Sequence, residues 1–157
     1  MPLYFAYGSN MDEAALRTRC PKARRLGLAR LARHRFVLMA NGFASVRRDP
    51  GSDVHGVLFD LALSDIRPLD RYEEMGNGLY TKAIQPVVRQ GGAAVQALIY
   101  IGTDANAGSA APAAYMDGVV VAAKTIGLPA AYVAMLEQLA GRSGQRAPGP
   151  RFARPLI

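Results

Sequence analysis

The chain has 157 residues, of which half are hydrophobic and a fifth are charged, and it carries a formal net charge of +7. This length and composition are typical of one globular domain and argue against a disordered chain. The single cysteine, Cys20, excludes an internal disulfide and a thiolate metal cluster. In chain order, the sequence first predicts a short strand over residues 3–7 and a helix over residues 10–19. Short apolar runs then predict a meander of strands between Arg24 and Leu61.

The second half of the chain changes from strand to helix patterns. Ser64 can cap a helix that runs to about Glu74, and a glycine-containing turn follows. Two strands are then predicted, over residues 79–89 and 93–102. Two helices follow, over residues 112–127 and 129–141, and each has proline in its first turn and glycine at its end. Because the strands follow one another and helices flank them, the predicted class is α+β.

The last residues have a different composition from the rest of the chain. Residues 144–157 are rich in glycine, proline and arginine, which is typical of an extended tail. We therefore predict a folded domain over residues 1–143 and a basic tail over residues 144–157.

The positive charge is distributed in several short arginine-rich segments. A nucleic-acid surface would interleave aromatic rings for base stacking, and these segments hold few aromatic residues, Phe36 among them. Nucleic acid is therefore not the favoured partner, although a non-catalytic basic module that binds RNA or an acidic protein stays open as an alternative. No apolar stretch approaches the roughly 20 residues of a membrane helix, and the first residues do not have the pattern of a signal peptide. The expected location is the cytoplasm, without membrane contact.

Common catalytic motifs are missing from the sequence. The glycine patterns of dinucleotide and P-loop sites do not occur, and neither does the G-x-S-x-G nucleophile elbow. His34 and His55 have no acidic or cysteine neighbours at ligand spacing, so we expect no metal site. Cys20 lies at a predicted helix end beside Pro21, which does not favour a catalytic thiol.

Two segments remain as candidates for chemistry. The first is the turn from Tyr7 to Asn10, where backbone N–H groups at a helix N-terminus could bind an anion or a developing oxyanion. Its structural alternative is that Ser9 or Asn10 only caps the helix. The second is the acidic pair Glu73 and Glu74 at a helix C-terminus, where negative charge is unfavourable with respect to the helix dipole. Its alternative is a solvated pair.

Four segments in register resemble the γ-glutamyl cyclotransferase family, which includes plant avirulence-induced relatives. They are the opening LYFAYGSNM, the middle segments NGFASV and VHGVLFDL, the segment LDRYEEMGNGLY, and the late helix PAAYMDGVVVAAKTIGLP. The resemblance implies a small mixed β-barrel-like sheet with flanking helices. It also implies a cofactor-independent enzyme that releases 5-oxoproline from a small-molecule γ-glutamyl substrate.

The resemblance also implies the residues of the site. Within the family, the catalytic glutamate precedes a glycine by five positions and a tyrosine by seven, and Gly78 and Tyr80 stand at these offsets from Glu73. This selects Glu73 over Glu74. The implied substrate-binding residues are Tyr4, Phe5, Ala6, Tyr7, Gly8, Ser9, Asn10, Tyr80 and Tyr115. The form YGSN points away from the glutathione-specific and γ-glutamylamine-specific relatives. The leaving group and the oligomeric state, including a homodimer, are left open.

The implied mechanism is an intramolecular cyclisation. The α-amine of the substrate attacks its own γ-carbonyl, and Glu73 removes a proton from the amine and returns one to the leaving group. For this task the carboxyl should titrate at about pH 6 to 7. Donors for the oxyanion and the α-carboxylate would come from the turn at Gly8, Ser9 and Asn10.

Overall fold

A computed structural model describes residues 2–103 and 110–143 of the chain. Its five strands form one closed barrel in the order β1-β3-β2-β4-β5. The strands are β1 (Leu3–Ala6), β2 (Arg24–Leu38), β3 (Ala44–Asp60), β4 (Tyr80–Arg89) and β5 (Ala94–Gly102). β1 pairs antiparallel with β3 and parallel with β5, so it lies between the longest strand and the last one. The predicted α+β class and barrel-like sheet are confirmed.

Strands β2 and β3 form one long hairpin rather than the predicted meander of short strands. Their pairing has two irregularities, one between Arg25 and Gly27 and one between Ala32 and His34, and the strands continue on either side of both. Pro50, a residue that rarely occurs inside strands, lies exposed within β3. The hairpin turns at Gly42, whose φ of 85° falls in the left-handed region that glycine adopts readily. The prediction of several short strands was wrong because bulges allow a strand to pass through such residues.

The first predicted helix, over residues 10–19, is divided into two shorter pieces. A 3₁₀ helix covers Ser9–Met11, and α1 covers only Glu13–Arg17. The N-cap of α1 is Asp12, whose side chain accepts hydrogen bonds from the backbone N–H groups of Ala14 and Ala15. Neither Ser9 nor Asn10 therefore caps α1.

The remaining helices lie close to their predicted positions. They are α2 (Leu63–Tyr72), α3 (Tyr115–Ile126) and α4 (Ala130–Ser143), with a second 3₁₀ helix at Met75–Asn77. Ser64 lies inside α2, whose N-cap is Ala62 without a side-chain hydrogen bond, so the predicted cap was wrong. Among the described residues, no helix is both long and apolar enough to cross a membrane.

The core fills the barrel and the space beneath the helices. β1 approaches β3 so closely that a Cβ on Gly56 would lie 2.2 Å from the Ala6 carbonyl oxygen, which makes glycine necessary there. α3 packs against the 3₁₀ helix that follows β1 and brings its first residue, Tyr115, to one end of the barrel. The predicted tail, residues 144–157, lies outside the described residues.

Candidate functional site

Glu73 directly follows the last residue of α2, and its backbone N–H donates to the Leu69 carbonyl at 2.9 Å. The side chain turns inward, and only 3% of the residue is exposed. Glu74, its neighbour, is only half-buried and has a φ of 51°, in the left-handed region. Adjacent carboxylates in the sequence therefore occupy different environments, because the left-handed residue at position 74 ends the helix and redirects the chain.

Strand β1 and the turn that follows it supply the side chains opposite Glu73. Tyr4 lies in β1, and Tyr7, Gly8 and Asn10 follow as the chain leaves the barrel for the 3₁₀ helix. Tyr4 and Asn10 are 3% and 2% exposed, so this wall of the site is removed from solvent. The fold thus joins the two segments that the sequence analysis selected, which are 63 positions apart in the chain.

The contact between the two segments is a hydrogen-bond network centred on Asn10. Its Nδ2 donates to Glu73 Oε1 at 3.3 Å and to the Tyr4 hydroxyl at 3.1 Å. Its Oδ1 accepts a hydrogen bond from Arg19 Nη1 at 3.0 Å. Every polar atom of the Asn10 side chain therefore has a partner, which satisfies the requirement for buried polar groups.

Two tyrosines close the cavity through the backbone of one residue. The Tyr80 hydroxyl donates to the Ala44 carbonyl at 2.6 Å, and the Tyr115 hydroxyl accepts from the Ala44 N–H at 3.3 Å. Tyr7 donates in the same way to the Tyr100 carbonyl at 2.6 Å. These backbone hydrogen bonds fix the three rings as walls of the cavity.

Burial keeps the tyrosine hydroxyls protonated. It is the main cause that raises the pKa of Tyr4 well above its ordinary value, and the nearby charge of Glu73 is the second. The pKa of Tyr7 is raised by the same two causes in the same order. Both groups therefore remain neutral phenols at any pH at which the protein would work, so neither is a candidate base.

These residues line a narrow cavity of about 20 Å³, which is enough for roughly one water molecule, and the cavity opens to the surface. The lining consists of Tyr4, Tyr7, Gly8, Asn10, Ala44, Glu73, Tyr80, Tyr100 and Tyr115. Seven of the predicted site residues are thus brought together. The other three, Phe5, Ala6 and Ser9, are buried beside the cavity and do not line it.

The turn also contains backbone N–H groups that come before the first hydrogen bond of the 3₁₀ helix. The first hydrogen bond of the 3₁₀ helix runs from the Met11 N–H to the Gly8 carbonyl at 3.1 Å. The N–H groups of the residues before Met11 precede this bond, as at the start of any helix. The Ser9 hydroxyl is buried and has no hydrogen-bond partner among the residues that the structure describes.

Sequence reasoning missed two lining residues. Ala44 contributes through its backbone, so its side chain gives no signal. Tyr100 lies on β5 as a hydroxyl-bearing residue in the apolar run ALIYIG, and this was a signal that could have been used. Its hydroxyl donates to Asp70, which also binds Lys82 Nζ at 2.7 Å.

The arrangement places one buried carboxylate against neutral donors in a small cavity. Such a group can accept and return a proton next to a bound substrate, which is the geometry of general acid/base chemistry. Within residues 2–103 and 110–143, no three histidine, cysteine, aspartate or glutamate side chains are grouped so that they could hold a metal ion.

The family model described as AIG2-like matches residues 53–136, which is more than half of the chain and includes Glu73. The chain belongs to the AIG2-like family. Proteins of human and cattle named gamma-glutamylcyclotransferase are each 28% identical to it over 147 residues, covering 87% of this chain and 78% of theirs. A solved structure titled gamma-glutamyl cyclotransferase superposes with a TM-score of 0.76 at 26% identity, over 87% of this chain and 86% of the other.

These matches confirm the family that the sequence motifs indicated. The chain is of the γ-glutamyl cyclotransferase type, and its named relatives are enzymes. The barrel with its flanking helices is the fold of the solved relative.

Proposed function

We propose that the protein is a cofactor-independent cyclotransferase that releases 5-oxoproline from a γ-glutamyl amino acid or a related γ-glutamyl amide, with Glu73 as the general acid/base. The observation that carries this proposal is the Glu73 carboxylate, buried at the wall of a small cavity and bound by Asn10 at 3.3 Å. The activity named for the relatives supports the substrate class.

The reaction needs the protein mainly to hold one conformer of the substrate. The α-amine attacks the γ-carbonyl carbon of the same molecule, and a C–N bond forms to close a five-membered ring. Groups held for such a closure reach effective molarities of about 10⁵ M or more. Glu73 takes the proton that the amine loses and returns it to the leaving nitrogen as the original amide bond breaks. The products are 5-oxoproline and a free amine.

The surroundings of Glu73 suit this double task. Burial makes a carboxyl group harder to ionise, which brings it nearer to the proton affinity that a base needs at neutral pH. The Asn10 donor acts in the opposite direction and stabilises the ionised form. A balance between the two allows the group to be both a base and an acid within one turnover.

We assign the turn at Gly8, Ser9 and Asn10 to the negatively charged parts of the substrate. Its N–H groups precede the first helical hydrogen bond and can donate to the α-carboxylate or to the oxyanion. Gly8 lines the cavity, and the absence of a side chain there allows close approach of the substrate to the backbone.

Other γ-glutamyl conjugates, including γ-glutamylamines and biosynthetic intermediates, are the second candidate substrates within the same reaction. A panel of γ-glutamyl amino acids, γ-glutamylamines and glutathione, assayed for 5-oxoproline by liquid chromatography, separates them. We expect release from γ-glutamyl amino acids and little from the other two. No 5-oxoproline from any member would contradict the proposed function.

The basic-module alternative makes a different prediction about salt. If the arginines bind nucleic acid, affinity should fall by several decades between about 50 and 200 mM salt.

We propose the cytoplasm as the compartment and residues 1–143 as the functional domain, and the single cysteine supports a reducing location.

A further inference from the structure

The geometry points to Arg19 as a positioning residue of the Glu73 site, which determines the face that the Asn10 amide turns toward the carboxylate. This inference rests on the proposed function in one respect, namely that Glu73 is the acid/base. It concerns a residue that does not line the cavity.

Arg19, two residues after α1, contacts the 3₁₀ helix, α1 and the end of α2. Its Nη1 donates to Asn10 Oδ1 and to the Ala15 carbonyl, both at 3.0 Å. Its Cζ lies 3.3 Å from the centre of the Tyr72 ring, the residue just before Glu73. A guanidinium stacked on an aromatic ring is held in orientation as well as in position.

The chemistry of arginine decides the orientation of the amide. A guanidinium has only donors, whereas an asparagine side chain has one acceptor and one donor end. Arg19 can therefore bind only Oδ1, so Nδ2 must face the opposite side of Asn10. On that side lie Glu73 Oε1 and the Tyr4 hydroxyl, which take the two amide hydrogens.

In the reversed orientation of the Asn10 amide, Nδ2 would face the Arg19 guanidinium and two donors would oppose each other. Removal of Arg19 would remove this energetic cost. A half-turn of the Asn10 amide would place Oδ1 against the Glu73 carboxylate, where two oxygens repel each other once the carboxylate is ionised. The ionised form would then be less stable and the carboxyl would keep its proton to higher pH. Arg19 thus stabilises the base form of Glu73 through Asn10.

The test is the titration of Glu73 itself, which needs no substrate. The chain contains four glutamates, Glu13, Glu73, Glu74 and Glu137, so protein labelled with δ-¹³C glutamate gives four carboxyl signals. The Glu73 signal is assigned by its absence in Glu73→Gln. In Arg19→Met, which keeps an unbranched side chain but removes the donors, we expect the Glu73 midpoint to move up by about 0.5 or more.

Two further variants separate positioning from a merely structural role. Arg17→Met removes an arginine two positions away whose ion pair with Glu13 is at the surface, and it should leave the Glu73 midpoint unchanged. Arg19→Lys keeps a cationic donor for Oδ1 while losing the planar stack on Tyr72, and it should restore most of the midpoint. An Arg19→Met protein whose Glu73 titrates as in the wild type would overturn the inference.

A second measurement uses the wild-type protein and so remains valid if Arg19→Met fails to fold. The ¹⁵N-labelled side-chain amide of Asn10 should show both proton signals shifting with the Glu73 midpoint. Asn10 amide chemical shifts that do not change over the pH range in which Glu73 titrates would also overturn the inference. If the wild type releases no 5-oxoproline while both titrations behave as expected, the proposed function fails and the positioning by Arg19 stands.

The kinetic consequence follows where activity is present. Substrate binding by the turn is unchanged in Arg19→Met, so KM should stay within about twofold while kcat falls by about tenfold, since misplacement at the reacting group affects the chemical step. The acid limb of the pH profile should move up with the Glu73 midpoint. A kcat loss without any movement of the acid limb would assign Arg19 to the fold alone.

Discussion

The two ends of strand β4 lie at two different depressions in the surface. Tyr80, its first residue, lines the Glu73 cavity, whereas Val88 and Arg89, at the other end, line a wider cleft of about 400 Å³. At about 3.3 Å per residue, the ten-residue strand separates them by roughly 30 Å. The cleft is much the larger of the two, yet the buried hydrogen-bond network around Asn10 lies at the cavity.

The charged groups at the two ends have different environments. In the cleft, Arg30 forms an ion pair with Asp53 at 3.1 Å in which both side chains are about 40% exposed, the kind of pair that contributes little. In the cavity, Glu73 is 3% exposed and hydrogen-bonded. The comparison teaches that burial and hydrogen bonding, rather than volume, identify the candidate for chemistry. The following changes test that contrast.

Replacement of Glu73 should have the largest effect. Glu73→Gln keeps the size of the side chain and can still accept from Asn10, but it cannot take a proton, so we expect kcat to fall by about 10² or more. Glu74→Gln is the matched control and should lose less than about twofold. Initial rates of 5-oxoproline release from both purified proteins, with folding checked by circular dichroism, give the answer. Loss of activity in Glu74→Gln alone would assign the acid/base role to Glu74 instead of Glu73.

Gly8→Val should have the next largest effect. A Cβ at this position would lie 3.2 Å from the Tyr115 hydroxyl and 3.9 Å from the Ala44 Cβ, and the two methyl groups of valine would extend into the cavity. We expect at least a tenfold loss of kcat/KM with the fold retained, because substrate approach to the backbone is blocked. Gly51→Val, at an exposed position in β3, is the control. Full activity in Gly8→Val would remove the turn from the site.

At the cleft end, titration should change stability rather than rate. Burial is the main cause that lowers the pKa of His55, which packs edge-on against Tyr132 with ring centres 4.9 Å apart. The unfolded state therefore binds the proton first, and stability that is present above about pH 6.5 is lost as the pH falls through the lowered value. His55→Phe should reduce this loss between pH 7.5 and 5.5 in urea titrations. Equal losses in both proteins would contradict the assignment.

Cys20→Ser should have the smallest effect on activity. The thiol is fully buried and its Sγ contacts the Asp65 carbonyl at 3.6 Å. Burial, followed by the Asp65 charge, raises the pKa of Cys20 to about 11, so no reactive thiolate forms near neutral pH. We expect kcat within about twofold of the wild type. A folded but inactive Cys20→Ser protein would favour thiol chemistry instead.

The sequence predicted the elements of the cavity better than their contacts. The family motifs of the opening segment, of the segment around Glu73 and of the late helix were together sufficient to select seven of the nine lining residues. The Asn10 to Glu73 hydrogen bond joins residues 63 positions apart, and no local pattern encodes such a distance. The same applies to Ala44, which acts through its backbone and therefore leaves no mark in the sequence.

The wrong fold predictions have a common physical cause. Pro50 and Ser64 each have a strong local preference, for a turn and for a helix cap respectively, that the tertiary structure overrides. Pro50 is exposed within the long strand β3, and Ser64 lies inside α2, which begins one residue earlier. Such local preferences indicate where a chain can turn or where a helix can begin. Whether it does so at that position depends on tertiary packing and on the pairing of the strands.

The most direct test of the central claim is the fate of the γ-carbonyl oxygen. If the substrate amine attacks its own carbonyl, 5-oxoproline formed in ¹⁸O-labelled water keeps the unlabelled oxygen of the substrate, and the amine is released in equal amount. Mass spectrometry of the product from a γ-glutamyl amino acid reads this out in one experiment. We predict unlabelled 5-oxoproline. Glutamate that carries one ¹⁸O atom would show that water is the nucleophile and would contradict the intramolecular mechanism.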